Sequence, residues 1–345
     1  MGRVAIFSDL HLGIHQNSDF WLDVSSQWIK WFSEEIKNQN CDEIVFCGDL
    51  VHYRDEVSVK VLQHIYNVFD CLKDYKITMI TGNHDCFYKE TSEVNSLSIL
   101  KGYKNVTVYD KLASVKFNGQ MVSFCPWGTK LKDIPPARII FGHFELQNFK
   151  MNAFKVCEQG DDALILAEKT QLVFTGHFHL RDEKKINNTM IVYIGNPFQM
   201  DFGDAYQSKG FYVLDTDTLE HYFVENSSTP KHLTVYLSKL ILQKNVDNLF
   251  KEILPNNLVK LVIDKNISTE HLDILVSKIM SYKPNDLNID YDVNYNKIKV
   301  TQDNDVDLSG VDITKAIEDF VNLLDINNKK EVVEYTISLY NRSKL

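Results

Sequence analysis

Five short clusters combine Asp, His and Asn in ways that suit metal chemistry: Ser8-Asp9-Leu10-His11, Gly48-Asp49-Leu50-Val51-His52, Gly82-Asn83-His84-Asp85, Gly142-His143-Phe144-Glu145 and Gly176-His177-Phe178-His179. Six of the eleven histidines lie inside them, so the imidazoles of this chain are concentrated rather than scattered. Such donors without a thiolate fit two divalent cations of hard or borderline character, such as Mn²⁺, Fe²⁺, Zn²⁺ or Mg²⁺. A single D-x-H or H-x-H is a weak signal, because a lone histidine beside a strand is more often a hydrogen-bonded core or surface group than a ligand. Five in series support a joint reading that one alone does not. Asp9 and His11 stand two apart on a segment expected to be extended, as do His177 and His179, which points each pair to one face. Four of the five clusters begin with glycine, which permits a tight turn and close backbone approach.

The elements that must position these residues are legible as patterns. Short apolar runs alternate with amphipathic stretches: 4–7, then 19–38, 43–47, 57–73 and 77–80, a βαβαβ rhythm. Past residue 106 strands dominate, at 106–109, 114–117, 121–125, 138–141, 172–175, 190–194 and 211–214, with Asn118-Gly119 as a hairpin turn. Each polar cluster follows directly on an apolar run, and in α/β folds ligands gather outside the carboxyl ends of strands. The pattern predicts an α/β fold of two packed mixed sheets flanked by helices. The polar segment 225–230 breaks the rhythm and divides a first domain, 1–228, from a small α/β module at 229–300, with strands near 233–237, 258–263 and 287–291 and helices at 246–253 and 269–279. In 301–345, an acidic linker precedes two stretches of helical apolar spacing, 313–324 and 329–340.

The series D-x-H, G-D-x-x-H, G-N-H-D, G-H-x and G-H-x-H resembles that of the calcineurin-like metallophosphoesterases, over residues 1 to about 225. The chain lacks Asp-Arg-Gly after Gly48-Asp49 and has Asp85, not Glu, after Gly82-Asn83-His84, which turns the resemblance away from the Ser/Thr protein phosphatases. It is similar instead to the SbcD and meiotic-recombination-eleven type DNA repair nucleases. Within that family it resembles the T-even-type phage branch, through 80–85 with Tyr88-Lys89, 105–111, Pro126-Trp127 and 142–146. The resemblance implies a metallophosphoesterase α/β/β/α sandwich, with one metal held by Asp9, His11, Asp49 and His179 and a second by Asp49, Asn83, His143 and His177, Asp49 bridging. It implies Mn²⁺, with Mg²⁺ as the alternative, and two-metal hydroxide attack on a phosphodiester. His84 is the candidate for protonating the leaving oxygen or stabilising the phosphorane charge. His52 would face the substrate phosphate, although other family members carry Asp there. Asp85 either orients His84 or caps the following helix. Trp127, Phe144 and Phe178 either stack on unpaired bases or wall the site, and Cys86 is expected to pack.

Composition limits the function further. With 345 residues, 44 % hydrophobic and a formal charge of −10, the chain has the make-up of a globular protein and not of one that coats nucleic acid by charge alone. Its six cysteines lack C-x-x-C spacing and disulfide-scaffold density, no apolar run approaches the roughly 18 residues of a membrane span, and no signal-peptide layout opens the chain. Cytoplasmic residence is therefore expected, host cytoplasm for a phage protein. The terminal Ser343-Lys344-Leu345 matches a peroxisomal address that recurs by chance. The resemblance implies a nuclease of DNA recombination, repair and replication, a 3′ to 5′ double-strand exonuclease and single-strand endonuclease. Its module at 229–300 would be a DNA-binding cap, and its terminal helices would dock on an SMC-like ABC ATPase within a two-plus-two complex containing a homodimer of this chain. Lys101, Lys104, Lys111, Lys184 and Lys185 are candidates for backbone phosphate. The rival readings are a small-molecule phosphodiesterase or phosphatase and a non-catalytic scaffold on the same fold.

Overall fold

The computed structural model describes residues 2–153, 155–292, 321 and 329–342. Its contacts divide the chain into two units, Met1–Tyr291 and Asp292–Leu345. The first unit contains two six-stranded sheets and a three-stranded one. In the first six-stranded sheet, β1 (Arg3–Phe7), β2 (Glu43–Phe46), β3 (Lys76–Ile80) and β4 (Val106–Tyr109) run parallel, while β11 (Gly210–Asp215) pairs antiparallel with β1 and β12 (His221–Glu225) with β11. In the second, β6 (Gln120–Cys125), β7 (Ile139–His143), β8 (Leu172–Gly176) and β10 (Thr189–Tyr193) are parallel, flanked by antiparallel β5 (Ala113–Phe117) and β9 (Asp182–Ile186).

The continuous apolar runs arise because these strands are covered on both faces. Val4 and Ile6 join Val45, Ile80, Phe124, Phe141 and Phe174 in the layer between the sheets, whereas Ala5 and Phe7 turn outward onto Trp28, Phe32 and Ile36. Those three lie on the helix Asp19–Asn38, whose buried positions recur every three or four residues. The neighbouring helix Val59–Cys71 starts where the Ser58 side chain accepts the Val61 N–H at 3.3 Å. Over the second sheet, the outer layer among the described residues is loops, 3₁₀ turns and the four-residue helix Leu164–Ala167, packed through Phe144, Phe149 and Leu166. Asn118 and Gly119 form the two-residue turn between β5 and β6 with φ of 48° and 81°, the conformation a tight hairpin needs. The two strands that the sequence pattern misses, β9 and β12, are both sheet edges. In β9 the run Asp182-Glu183-Lys184-Lys185 has no apolar stretch to read, whereas β12 holds only the short run Tyr222-Phe223-Val224 beside the polar segment at 225–230.

Beyond Pro230, β13 (His232–Tyr236), β14 (Leu258–Ile263) and β15 (Asp286–Tyr291) form a parallel sheet with helices Val246–Ile253 and Thr269–Ser281 and a buried cluster of its own. Its first strand meets the helix Asp19–Asn38 and the segment 199–204 through His232. That ring stacks on Trp21 at 5.8 Å with planes 9° apart, stands edge-on to Phe202, and its backbone N–H donates to Gln199 Oε1 at 2.6 Å. In the second unit, the helix Lys329–Arg342 occupies the stretch of helical apolar spacing at 329–340. The acidic linker at 302–307 lies outside the described residues, as does nearly all of the helix expected at 313–324.

Burial pushes His232 from 6.5 down to about 4. The folded chain therefore resists a proton that the unfolded chain accepts, and stability falls as pH drops from about 6.5 towards 4. Denaturant melts should show the stability difference between wild type and His232→Phe moving against wild type by about 2 kcal/mol between pH 7.5 and pH 4, and staying constant above pH 7.5.

Candidate metal centre

All five clusters sit at carboxyl ends of parallel strands: β1, β2 and β3 of one sheet and β7 and β8 of the other. Packing the sheets face to face brings these ends to one rim. The local geometry differs from the extended one expected for Asp9-x-His11 and His177-x-His179. Asp9, His11, Asp49 and His177 have φ of 56°, 46°, 62° and 91°, in the left-handed region, so the strands have ended and turning backbone, not strand alternation, aims the side chains. The turns support one another, with Asp9 N–H donating to Gly48 O at 2.9 Å and His11 N–H to Asp49 O at 3.1 Å. Gly48, at φ 96°, leaves no room for a side chain: a Cβ there would lie 2.6 Å from both Gly82 N and His143 Nδ1.

The structure gathers all seven expected ligand side chains. Ligand atoms of Asp9, His11 and His179 lie within 4.8 Å of one another, as do those of Asp9, Asp49 and His143. His11 Nε2 is 2.9 Å from His179 Nε2. Asn83 Oδ1 is 2.9 Å from both His143 Nε2 and His177 Nδ1. Asp49 Oδ2 stands between the two sets, 3.6 Å from His11 Nε2 and 3.5 Å from His143 Nε2.

Donor chemistry tests whether a cation fits. His143 Nδ1 lies 2.7 Å from the Cys47 carbonyl, which can only accept, so Nδ1 carries the proton and a neutral His143 turns a bare Nε2 inward. There it meets the oxygens of Asn83 and Asp49, and acceptors converging on one point need a proton or a cation between them. The electrostatics agree. Burial opposes a proton on His143, yet Asp49 and Asp9 overcome it and raise this imidazole to about 9. Burial opposes charge on Asp49 too, but His143, His11 and His84 hold its carboxyl far below the usual range. Burial, with Asp49 beside it, pushes Asp9 up to about 7. Burial and neighbouring imidazoles push His177 down to about 3 and His11 well below its ordinary value, leaving neutral rings able to donate lone pairs. The residues present fit divalent cations.

The other expected residues divide. His84 Nδ1 donates to the His52 carbonyl at 2.6 Å and its ring stands 4.7 Å from that of His11. The His52 ring stacks on His84, and burial together with His84 pushes it down to about 4. Asp85 takes neither of the roles expected for it. Its buried carboxylate accepts the N–H groups of Asp49, Leu50 and Gly82 at 2.8–2.9 Å, so it orders the backbone that presents Asp49 and neither orients the His84 ring nor caps a helix. Phe144 and Phe178 are core residues, and Cys86 is buried with its thiol on the Gly82 carbonyl. Trp127 is half-buried, 5.0 Å from the His177 ring, with its indole N–H held by the Lys89 carbonyl. It lines a cavity of about 490 Å³ with His143, Lys130 and Lys132. Lys101 and Lys184 are engaged by Asp110 and Asp182, so they offer less to phosphate than expected. Glu145, to which the motifs assign no role, brings Oε2 to 3.8 Å from His177 Nε2.

A sandwich of two mixed sheets with a histidine- and carboxylate-rich rim defines a metallophosphoesterase. The family model for the calcineurin-like phosphoesterase superfamily domain matches residues 3–219, and the chain belongs to that superfamily. It is 29 % identical over 238 residues to "Exonuclease subunit 1" of Enterobacteria phage T4, covering 66 % of this chain and 68 % of that protein. It is also 23 % identical over 249 residues to the SbcD component of the SbcCD nuclease of Staphylococcus epidermidis, covering 62 % and 66 %. A solved archaeal phosphodiesterase aligns at 16 % identity with a TM-score of 0.38, over 65 % of this chain and 99 % of its own. The first two similarities are to components of nucleases and match the SbcD-type resemblance read from the motifs.

Removing the Asp85 carboxylate would leave four buried N–H donors without it, those of Asp49, Leu50 and Gly82 and, at 3.3 Å, that of Val51, at about 1–3 kcal/mol for each such group. Asp85→Ala should therefore lose about 3 kcal/mol or more in denaturant melts without metal, far beyond an ordinary surface substitution.

Proposed function

We propose that this chain is a metal-dependent DNA nuclease, the nuclease subunit of a recombination and repair complex. The observation that carries the reading is the placing of Asp49 Oδ2 between two donor sets, 3.6 Å from His11 and 3.5 Å from His143. One cation would be held by Asp9, His11, Asp49 and His179 and the other by Asp49, Asn83, His143 and His177, with Mn²⁺ the metal and Mg²⁺ the alternative. Bound there, two cations supply Lewis acidity to the phosphate oxygens and to the attacking water.

The chain's own residues do the rest. Asp85 and the His84 N–H, which donates to Asp49 Oδ1 at 2.8 Å, fix the shared carboxylate. With its Nδ1–H committed to the His52 carbonyl, His84 keeps Nε2 for a second proton, which it delivers to the leaving oxygen. His52 presents a neutral imidazole beside it. The cavity next to His143, with Trp127, Lys130 and Lys132, has the size of a nucleotide and would hold the substrate next to the scissile phosphate.

DNA as substrate is supported by the nucleases to which the chain is similar. In this reading it is a 3′ to 5′ double-strand exonuclease and single-strand endonuclease. Residues 1–228 form the nuclease domain, 229–300 a cap over DNA, and 301–345 an acidic linker and helices that dock on an SMC-like ABC ATPase. A homodimer is supported by an apolar stripe on the helix Val59–Cys71, where Val59, Leu62 and Tyr66 are 82 %, 40 % and 55 % exposed. Among the described residues no helix is long and apolar enough to cross a membrane, in keeping with a cytoplasmic site of action.

The test is cleavage of end-labelled double-stranded DNA in Mn²⁺ by wild type and by Asp49→Asn. Wild type should release label, while Asp49→Asn should fall by at least about 100-fold and chelation should abolish both. Intact DNA, even with the ATPase partner added, beside hydrolysis of a nitrophenyl phosphodiester would move the assignment to a small-molecule phosphodiesterase. No hydrolysis of either would leave the scaffold.

His84→Gln separates chemistry from metal binding. It should bind Mn²⁺ like wild type yet cleave about 10²–10⁴-fold more slowly, as measured by single-turnover cleavage beside Mn²⁺ titration.

A further inference from the structure

Lys209 has a place in the molecule that no motif announces. It lies at the foot of β11 and is 5 % exposed. Its ammonium has three hydrogens and three acceptors: Asp204 Oδ1 at 2.6 Å, the His179 main-chain carbonyl at 2.7 Å and Gln207 Oε1 at 3.0 Å. Burying an ion pair costs more than surface charge would, so such a pair is weak evidence for stability and invites another explanation. The acceptor that distinguishes this one is His179, whose Nε2 faces His11 across the metal centre. Asp204 is tied in turn by the Met200 N–H and the Asn196 side chain, each at 2.9 Å, so the lysine rests on a fixed base.

The same short segment also reaches the three-stranded sheet. Gln199 donates to the Gln207 carbonyl at 3.2 Å and accepts the His232 N–H, and the Tyr206 hydroxyl donates to the Thr234 carbonyl at 2.7 Å. Tyr206 does so at φ 64°, a strained conformation for a bulky residue. The backbone of His179 and strand β13 are therefore both fastened to residues 199–209.

We infer that Lys209 is a positioning residue for one of the two metals: it holds His179 by its carbonyl so that the imidazole stays aimed at the set containing Asp9, His11 and Asp49. The second set contains no atom that Lys209 touches. Loss of the ammonium leaves the His179 carbonyl with only the longer bond from the Asn196 N–H, at 3.3 Å against 2.7 Å from Lys209, and so loosens His179 and weakens one cation, leaving the other as it was.

The inference rests on the ligand assignment proposed above, and the test separates the two. Mn²⁺ binding to the full chain is followed by calorimetry and by electron paramagnetic resonance, with no substrate present. Wild type should bind two ions; fewer than two overturns the ligand assignment and the inference with it. His179→Ala marks one site and Asn83→Ala the other. Lys209→Met should weaken the site marked by His179→Ala by about 10- to 100-fold, as losses of outer supports to metal ligands do, and leave the other unchanged. Adding it to His179→Ala should cause no further loss at that site. Because Lys209→Met strands the Asp204 carboxylate, Asp204→Asn/Lys209→Met serves as a second variant that removes both charges and should show the same one-site defect. Wild-type affinity at both sites, or equal weakening of both alongside a lower Tm, overturns the positioning role.

Discussion

The fold is organised around a carboxylate that is hard to bury. Asp49 is 1 % exposed and shares its pocket with a second buried acid, Asp9. Like charges without solvent are tolerated only where positive charge or donors are fixed close by. Here Oδ1 accepts the His84 N–H while Oδ2 looks toward His11 and His143. Much of the surrounding architecture follows from that demand. Asp85 ties the backbone at Asp49 and Leu50, Gly48 clears space for Gly82 and His143, and the Cys47 carbonyl sets the tautomer of His143. A cation at the same point satisfies the acceptors that a proton on His143 otherwise satisfies, so metal binding and protonation compete for one place.

Strain at the strand ends belongs to the same constraint. An L-residue in the left-handed region is held there only when its surroundings over-determine it. Four of the seven side chains that converge come from such residues, on loops whose amides hydrogen-bond across from one strand end to the next. Five strand ends from two sheets then act as one rigid rim. The sheets hold that rim because the apolar layer between them is built from both, with Val4, Ile6 and Val45 against Phe124, Phe141 and Phe174. Rigidity at this rim is what electrostatic catalysis requires, since donors already in place need no reorganisation when charge develops.

Much of this was legible in the sequence. The apolar runs and the clusters that follow them were signals of local pattern: the runs locate ten of the twelve strands in the two large sheets, and the clusters contain the seven side chains proposed as ligands, which lie close together at the strand ends. What could not be read was of another kind. β9 and β12 lie at sheet edges, where one covered face suffices and charged residues are tolerated. The φ values of Asp9 and His11 depend on hydrogen bonds to residues some forty positions away, so an extended D-x-H was the natural reading and the wrong one. Asp85 was visible as an acid beside a histidine, but its partners are amides of a loop joined only in the fold. Lys209 carried no signal, because a lysine among Gln207, Ser208 and Gly210 reads as surface.

A formal charge of −10 sits awkwardly with the polyanionic substrate proposed above. Residues 229–291 hold eight lysines against seven acids, so the acidity lies elsewhere in the chain. At the rim, the two carboxylates would repel a phosphate until two divalent cations reverse the local sign. For a substrate of the kind proposed, affinity would then come from the metals and from a partner protein more than from a basic face. That places discrimination at the rim itself. There Trp127, braced by the Lys89 and Thr81 carbonyls and set against His177, stands beside the one nucleotide-sized cavity that touches His143 among those described.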